Sequence, residues 1–147
     1  MAGPIFVDTN ILVYALDAAA GEKQVRAREW MTLAWRTGRG RVSIQVLQEL
    51  YVTLTRKLRP GLTPPEARGE VRALLPWQPI SVDSSVLESA WNLQDRFALS
   101  WWDALIVGAA QAMRCRYLLT EDLQDGQDLD GLLVVNPFRH TPDSLPT

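Results

Sequence analysis

The strongest constraint on this chain is a set of short apolar runs without polar alternation: Pro4-Ile5-Phe6-Val7, Tyr117-Leu118-Leu119 and Leu132-Leu133-Val134-Val135. A strand that is apolar on both sides has no face for water, so it belongs inside a parallel sheet covered by helices. Helical periodicity fills the intervals. Glu22–Thr37 places Ala27, Trp30, Met31, Ala34 and Trp35 on one stripe, and residues 45–58 do the same with Leu47, Leu50, Tyr51, Leu54 and Leu58. Ile11–Leu16 reads as a shorter helix. Thr63-Pro64-Pro65-Glu66 opens a helix running to about Leu75, with proline in its first turn. Asp83–Phe97 and a segment from Trp101 to Met113 are two more, and short strands are predicted at Arg41–Ile44 and Ile80–Val82. Strands alternating with helices specify βαβ units. The fold class is therefore α/β, a single domain with a mostly parallel central sheet between helical layers. The domain is expected to span residues 1–135, with a loosely ordered, proline-containing C-terminal tail at 136–147.

The chain has 147 residues, of which 47% are hydrophobic, enough for one sizeable core. No apolar run approaches the roughly 20 residues of a bilayer span. The first apolar stretch has no basic region before it and is interrupted by Asp8 and Asn10, so no signal peptide is expected and the protein reads as cytoplasmic. The one cysteine, Cys115, excludes an internal disulfide framework and a zinc site of several thiolates. Net charge is −2, but residues 1–72 carry a balance of +4 and residues 73–147 one of −6. That asymmetry suits a phosphate-binding surface beside a cation site.

Open α/β sheets bind ligands beyond the carboxyl ends of their strands. Asp8 follows the first strand, and Asp122 lies just past Tyr117–Thr120. Asp103 falls in the first turn of the Trp101 helix, in a Ser100-x-x-Asp103 pattern, and Glu49 lies early in the third helix. Each has an ordinary structural alternative. Asp8 and Asp103 suit helix caps, and Asp122 suits an exposed turn. Periodicity turns Glu49 away from the leucine stripe and favours a solvated surface position. Gathered together, four carboxylates repel one another unless a cation joins them. Mg²⁺ or Mn²⁺ suits such hard oxygen donors, and the hydrolysis of a phosphodiester then needs no histidine. His140 is the single histidine, in the proline-containing tail. There is no phosphate loop, dinucleotide fingerprint, nucleophile elbow or H-E-x-x-H motif.

Four segments, in order, resemble the PIN domain, and within it the VapC toxins of bacterial type II toxin–antitoxin systems. They are Phe6-Val7-Asp8-Thr9-Asn10-Ile11-Leu12-Val13-Tyr14, Ser43-Ile44-Gln45-Val46-Leu47-Gln48-Glu49-Leu50-Tyr51, Trp102-Asp103-Ala104-Leu105-Ile106 and Leu118-Leu119-Thr120-Glu121-Asp122-Leu123. The resemblance covers about residues 4–135. It implies a metal-dependent endoribonuclease holding Mg²⁺ or Mn²⁺ on Asp8, Glu49, Asp103 and Asp122, with Thr9 and Thr120 supporting them. It also implies an RNA substrate, a cognate VapB-like antitoxin and a homodimer. Many relatives carry a further acid where this chain has Gln124, which leaves Asp125 or Glu121 as candidates for an additional ligand. Arg36, Arg39 and Arg41, with Arg56, Lys57 and Arg59, are candidate phosphate contacts. Trp30, Trp35, Trp101 and Trp102 are candidate base-stacking residues. A PIN-fold housekeeping nuclease, a catalytically silent interaction module and a metal-dependent phosphatase are the alternatives.

Overall fold

A computed structural model describes residues 3–145. The apolar runs form β1 (Ile5–Val7), β3 (Tyr117–Leu119) and β5 (Leu132–Val135), with β2 (Gly40–Arg41) and β4 (Asp128–Leu129) completing one sheet in the order β2-β1-β3-β5-β4. All pairings are parallel except that of β4 with β5. Six α-helices among the described residues flank the sheet in a three-layer sandwich: α1 (Thr9–Leu16), α2 (Glu22–Thr37), α3 (Ile44–Val52), α4 (Pro64–Arg72), α5 (Ser84–Phe97) and α6 (Trp101–Ala112). Ile5, Phe6, Val7, Leu118 and Leu119 are fully buried, as expected of strands covered on both faces.

Strand register aligns the residues at the carboxyl edge of the sheet. Val7 lies opposite Leu119, and Leu119 opposite Val135. Three neighbouring parallel strands therefore stop at one level, and their next residues, Asp8, Thr120 and Asn136, emerge side by side.

Apart from α2, which follows Gly21 without a side-chain cap, the α-helices start where short polar side chains accept otherwise unpaired backbone N–H groups. Ser43 accepts from Val46 N, Asp83 from Val86 N and Ser100 from Asp103 N. Thr63 and Glu66 form a reciprocal capping box at α4. The cap at Ser43 explains one departure from expectation: the predicted Arg41–Ile44 strand is cut short because Ser43 commits the chain to α3. Only a single bridge, Ser43 to Ile80, remains of the predicted strand at Ile80–Val82. The third helix is α-helical only to Val52 and continues as a π-turn over Thr53–Lys57. β4 is an addition to the predicted strands, and Leu129-Asp130-Gly131-Leu132 carries the hairpin signal for it. Asp130 and Gly131 both take positive φ (55° and 94°), and Asp128 Oδ1 accepts from Gly131 N.

The C-terminal segment is not loose as far as Leu145; its last two residues, and the first two of the chain, lie outside the described residues. Trp30 is fully buried on α2, and a buried indole N–H needs an acceptor. Pro137 O (2.9 Å) and His140 O (3.2 Å) provide it. Arg26 also donates to His140 O, and Phe138 meets Tyr14 edge to face. Trp30→Phe keeps most of the apolar volume but removes the indole donor, leaving Arg26 as the remaining donor to these carbonyls. It is expected to cost about 1–3 kcal/mol and to speed proteolytic removal of the C-terminal segment. Thermal unfolding and limited digestion check this; unchanged digestion would mean that other contacts hold the segment.

Candidate active site

Asp8 stands at the end of β1, only 7% exposed, and does two jobs locally. One carboxylate oxygen accepts from Thr9 N (2.7 Å) and caps α1; the other accepts from the Thr120 hydroxyl (2.8 Å) at the end of β3. The Thr120 oxygen in turn accepts from Asp122 N (3.1 Å), and Asp122 Oδ2 accepts from Asn10 Nδ2 (3.0 Å). On the other side, Thr9 donates its hydroxyl proton to Glu49 Oε2 (2.8 Å), while Gln45 Nε2 donates to Glu49 Oε1 (3.0 Å). A continuous chain of hydrogen bonds thus links Glu49, Thr9, Asp8, Thr120, Asp122 and Asn10 across α3, β1, α1 and the loop after β3. Glu49 is off the leucine stripe, as periodicity expects, but it turns toward the start of α1 and not to open solvent.

Asp103 joins through charge. It occupies the first turn of α6, where the helix N-terminus favours a carboxylate. Burial, then the Asp103 charge, then Glu121, raise the Asp122 carboxyl above its ordinary range, with a further contribution from Glu49. Burial is also the largest influence on Asp8, which is pushed up to about 6; hydrogen bonds from Thr120 and Thr9 pull the other way, and the charges of Asp122 and Glu49 add to the rise. The structure thus brings the four acids into one electrostatic neighbourhood. They do not form a finished cage: among the described residues, no three His, Cys, Asp or Glu side chains are arranged to hold a metal ion as they stand.

The candidates for an additional ligand are engaged elsewhere. Glu121 accepts from the Tyr14 hydroxyl and from Lys23 (2.8 Å). Asp125 pairs with His140 Nε2 (2.7 Å) and accepts from Asn136 N (2.8 Å).

Arg36, Arg39 and Arg41 do not gather at the acids. Arg39 O accepts from Ile5 N at the opposite end of β1 from Asp8, and Arg39 Nε donates to Gly3 O (2.7 Å). Arg36 and Arg39 line a cavity shared with Pro142, Asp143 and Leu145. Arg41 donates to Gly38 O and Gly40 O. The reason is topological: β2 runs parallel to β1, so residues entering β2 stand at the end of the sheet away from the residues leaving β1. Trp30 is buried, Trp35 packs on Trp77 (centroids 4.9 Å apart) and Trp101 stacks with Trp91 (6.1 Å), which leaves Trp102 of the four candidate base-stacking tryptophans. Asn10 and Gln45 join the site without having been among its candidates. The Asp8-Thr9-Asn10 turn is the available signal for Asn10; nothing in the residue pattern points to Gln45.

A parallel sheet with acids from four separate segments gathered past its carboxyl edge defines a small α/β protein with an acidic centre. The family model of the PIN domain matches residues 5–125, and the chain belongs to that family. The fold is similar to that of a chain in a toxin–antitoxin complex from Klebsiella pneumoniae, with a TM-score of 0.60 and 23% identity over 92% of this chain and 98% of that one. It is also similar to a chain of VapBC2 from Rickettsia felis bound to a DNA fragment from their promoter, with a TM-score of 0.59 and 16% identity over 88% and 96% of the two chains. No curated protein matches it.

Proposed function

We propose that this PIN-domain protein is a divalent-metal-dependent endoribonuclease acting as the toxin of a VapBC-type pair. The observation that carries the reading is the hydrogen-bond chain from Glu49 through Asp8 to Asp122, which holds acids from distant segments in one orientation. Two similar folds belong to toxin–antitoxin complexes, which supports an antitoxin partner for this chain.

The donor set fits Mg²⁺ or Mn²⁺: it is all oxygen, and burial beside like charges leaves Asp8 short of a counter-ion. Asp8, Glu49, Asp103 and Asp122 would hold the ion, with water completing its surroundings, as Mg²⁺ prefers. When bound, the ion would polarise a scissile phosphate and make a coordinated water more acidic. The protein's own contribution is orientation. The hydroxyls of Thr9 and Thr120 fix the Glu49 and Asp8 carboxylates, and Asn10 aims Asp122. The catalytic unit is taken as residues 1–135, with 136–147 as a C-terminal tail that Trp30 and Arg26 of α2 hold through Pro137 O and His140 O. A homodimer in the cytoplasm is the expected form.

Purified protein is expected to cleave RNA with Mg²⁺ or Mn²⁺ and to stop on EDTA, with Mn²⁺ restoring cleavage. Cleavage indifferent to EDTA would sink the reading. Growth arrest on expression, relieved by a co-expressed small partner, separates a toxin from a housekeeping nuclease. The absence of a ready-made ligand cage among the described residues favours one second reading, an interaction module without catalysis. Calorimetric titration with Mn²⁺ decides: no binding supports the module.

A further inference from the structure

A cavity of about 490 Å³ opens directly on the acidic network, because Thr9 and Glu49 belong to its wall. Its other walls come from α3, the π-turn and the start of α6. We propose that this cavity receives a nucleotide of the RNA strand next to the scissile phosphate, with its base stacked on Trp102 and its phosphate met by Lys57; the proposal rests on the nuclease reading above.

Trp102 is 64% exposed, immediately before Asp103. Among the described residues, it is the tryptophan that is neither buried nor packed on another aromatic ring. Trp30 and Trp77 are buried, Trp35 covers Trp77, and Trp91 stacks on Trp101. An indole held at the rim of a cavity whose wall includes Thr9, Gln48, Glu49 and Lys57 offers a free face to a base, and such stacking tolerates any base. Lys57 ends the π-turn, makes no salt bridge among the described residues and lines the same cavity. A nucleic-acid strand beside a group of carboxylates needs a cation nearby to offset phosphate repulsion, and Lys57 shares its cavity with Glu49. π-turns recur at functional sites, and this one carries both Thr53 and Lys57 into the wall. Gln45 also belongs to the wall. It is nine-tenths buried, its amide nitrogen is spent on Glu49, and its Oε1 has no hydrogen-bond partner. The lining also argues against an apolar protein segment, for which the groove of Leu47, Tyr51, Val71 and Leu75 is the better match.

The test measures binding of a single-stranded oligoribonucleotide to Asp8→Asn protein, which should hold RNA without cutting it, with Trp102→Ala, Trp102→Phe or Lys57→Ala added. Trp102→Ala is expected to weaken binding roughly ten- to a hundredfold, and Trp102→Phe to recover most of it, because a ring is kept. Lys57→Ala is expected to lower the slope of log affinity against log salt by about 0.7. In the otherwise native protein, Trp102→Ala should raise KM and leave kcat nearly unchanged. Affinity and KM unmoved by Trp102→Ala, in native protein that cleaves RNA, would overturn the pocket alone. So would Trp102→Phe binding no better than Trp102→Ala. Native protein that cleaves no RNA would overturn the nuclease reading and the pocket with it.

Discussion

Asp8→Asn is expected to abolish cleavage and, in the same protein, to raise the stability of the metal-free fold. Burial pushes the Asp8 carboxyl up to about 6, against 3.8 in a free side chain. Below about pH 4 the group is protonated whether the chain is folded or not, and it costs nothing. Between about pH 4 and 6 the unfolded chain releases the proton while the fold retains it, so stability falls as pH rises. Above 6 the group is ionised in both states and the fold bears the whole penalty, about 2–3 kcal/mol. In the variant, the side-chain amide oxygen can still accept from Thr9 N, and the Thr120 hydroxyl can rotate to accept from the amide nitrogen. At pH 7.5 without metal, Asp8→Asn should therefore melt several degrees above the native protein, with the difference vanishing near pH 4. Mg²⁺ should stabilise the native protein and leave the variant unmoved. RNA cleavage should fall by more than about a hundredfold. Melting curves across pH with and without EDTA check this. A variant less stable than native protein at pH 7.5 would show that the Asp8 charge is already compensated within the fold.

Gly40→Ala is expected to be the most damaging one-carbon addition in the sheet. A Cβ at residue 40 would stand 2.4–2.6 Å from the indole carbons of Trp77. Trp77 is 7% exposed and held by Trp35, so the ring has little room to retreat. Overpacking of this kind costs about 3 kcal/mol, at the upper end of the usual range. Urea unfolding should show that loss, and Trp77→Leu in the same chain should recover part of it, because the two sites share one contact. Gly40 pairs with Ile5, at the end of β1 away from Asp8. The variant's folded fraction should thus keep its cleavage rate, and a specific activity that falls with stability would mean that the two ends of the sheet are coupled.

The layered α/β fold is legible because burial on both sides leaves a mark on a strand: Ile5-Phe6-Val7 and Tyr117-Leu118-Leu119 carry no alternation, and both are buried throughout. The α2 boundaries are legible for a similar reason, with Gly38 in the left-handed region stopping the helix. The order of the tail is not legible, because it comes from a distant partner. Nothing between Asn136 and Leu145 announces that Trp30 needs its carbonyls.

The site divides in the same way. Asp8 and Asp122 can be nominated from their positions after strands, since ligands gather at that edge of an open sheet. Glu49 cannot, because periodicity reports which face of a helix avoids the core and not what lies opposite that face. The hydroxyl of Thr9, forty positions away in the chain, decides that it meets the site. Arg36, Arg39 and Arg41 miss the site for the converse reason. Their closeness in sequence to one another says nothing about distance from the acids, and the parallel crossover into β2 carries them to the far end of the sheet.

What the residues alone determined was the set of local preferences: which runs bury on both sides, where helices start and stop, and which side chains bear the chemistry. What only the tertiary structure decided was adjacency. Register between β1, β3 and β5 sets Asp8 beside Thr120, and the packing of α3 against α1 brings Glu49 to Thr9. Periodicity is a short-range property of the chain, whereas contact between distant residues depends on how every intervening element packs.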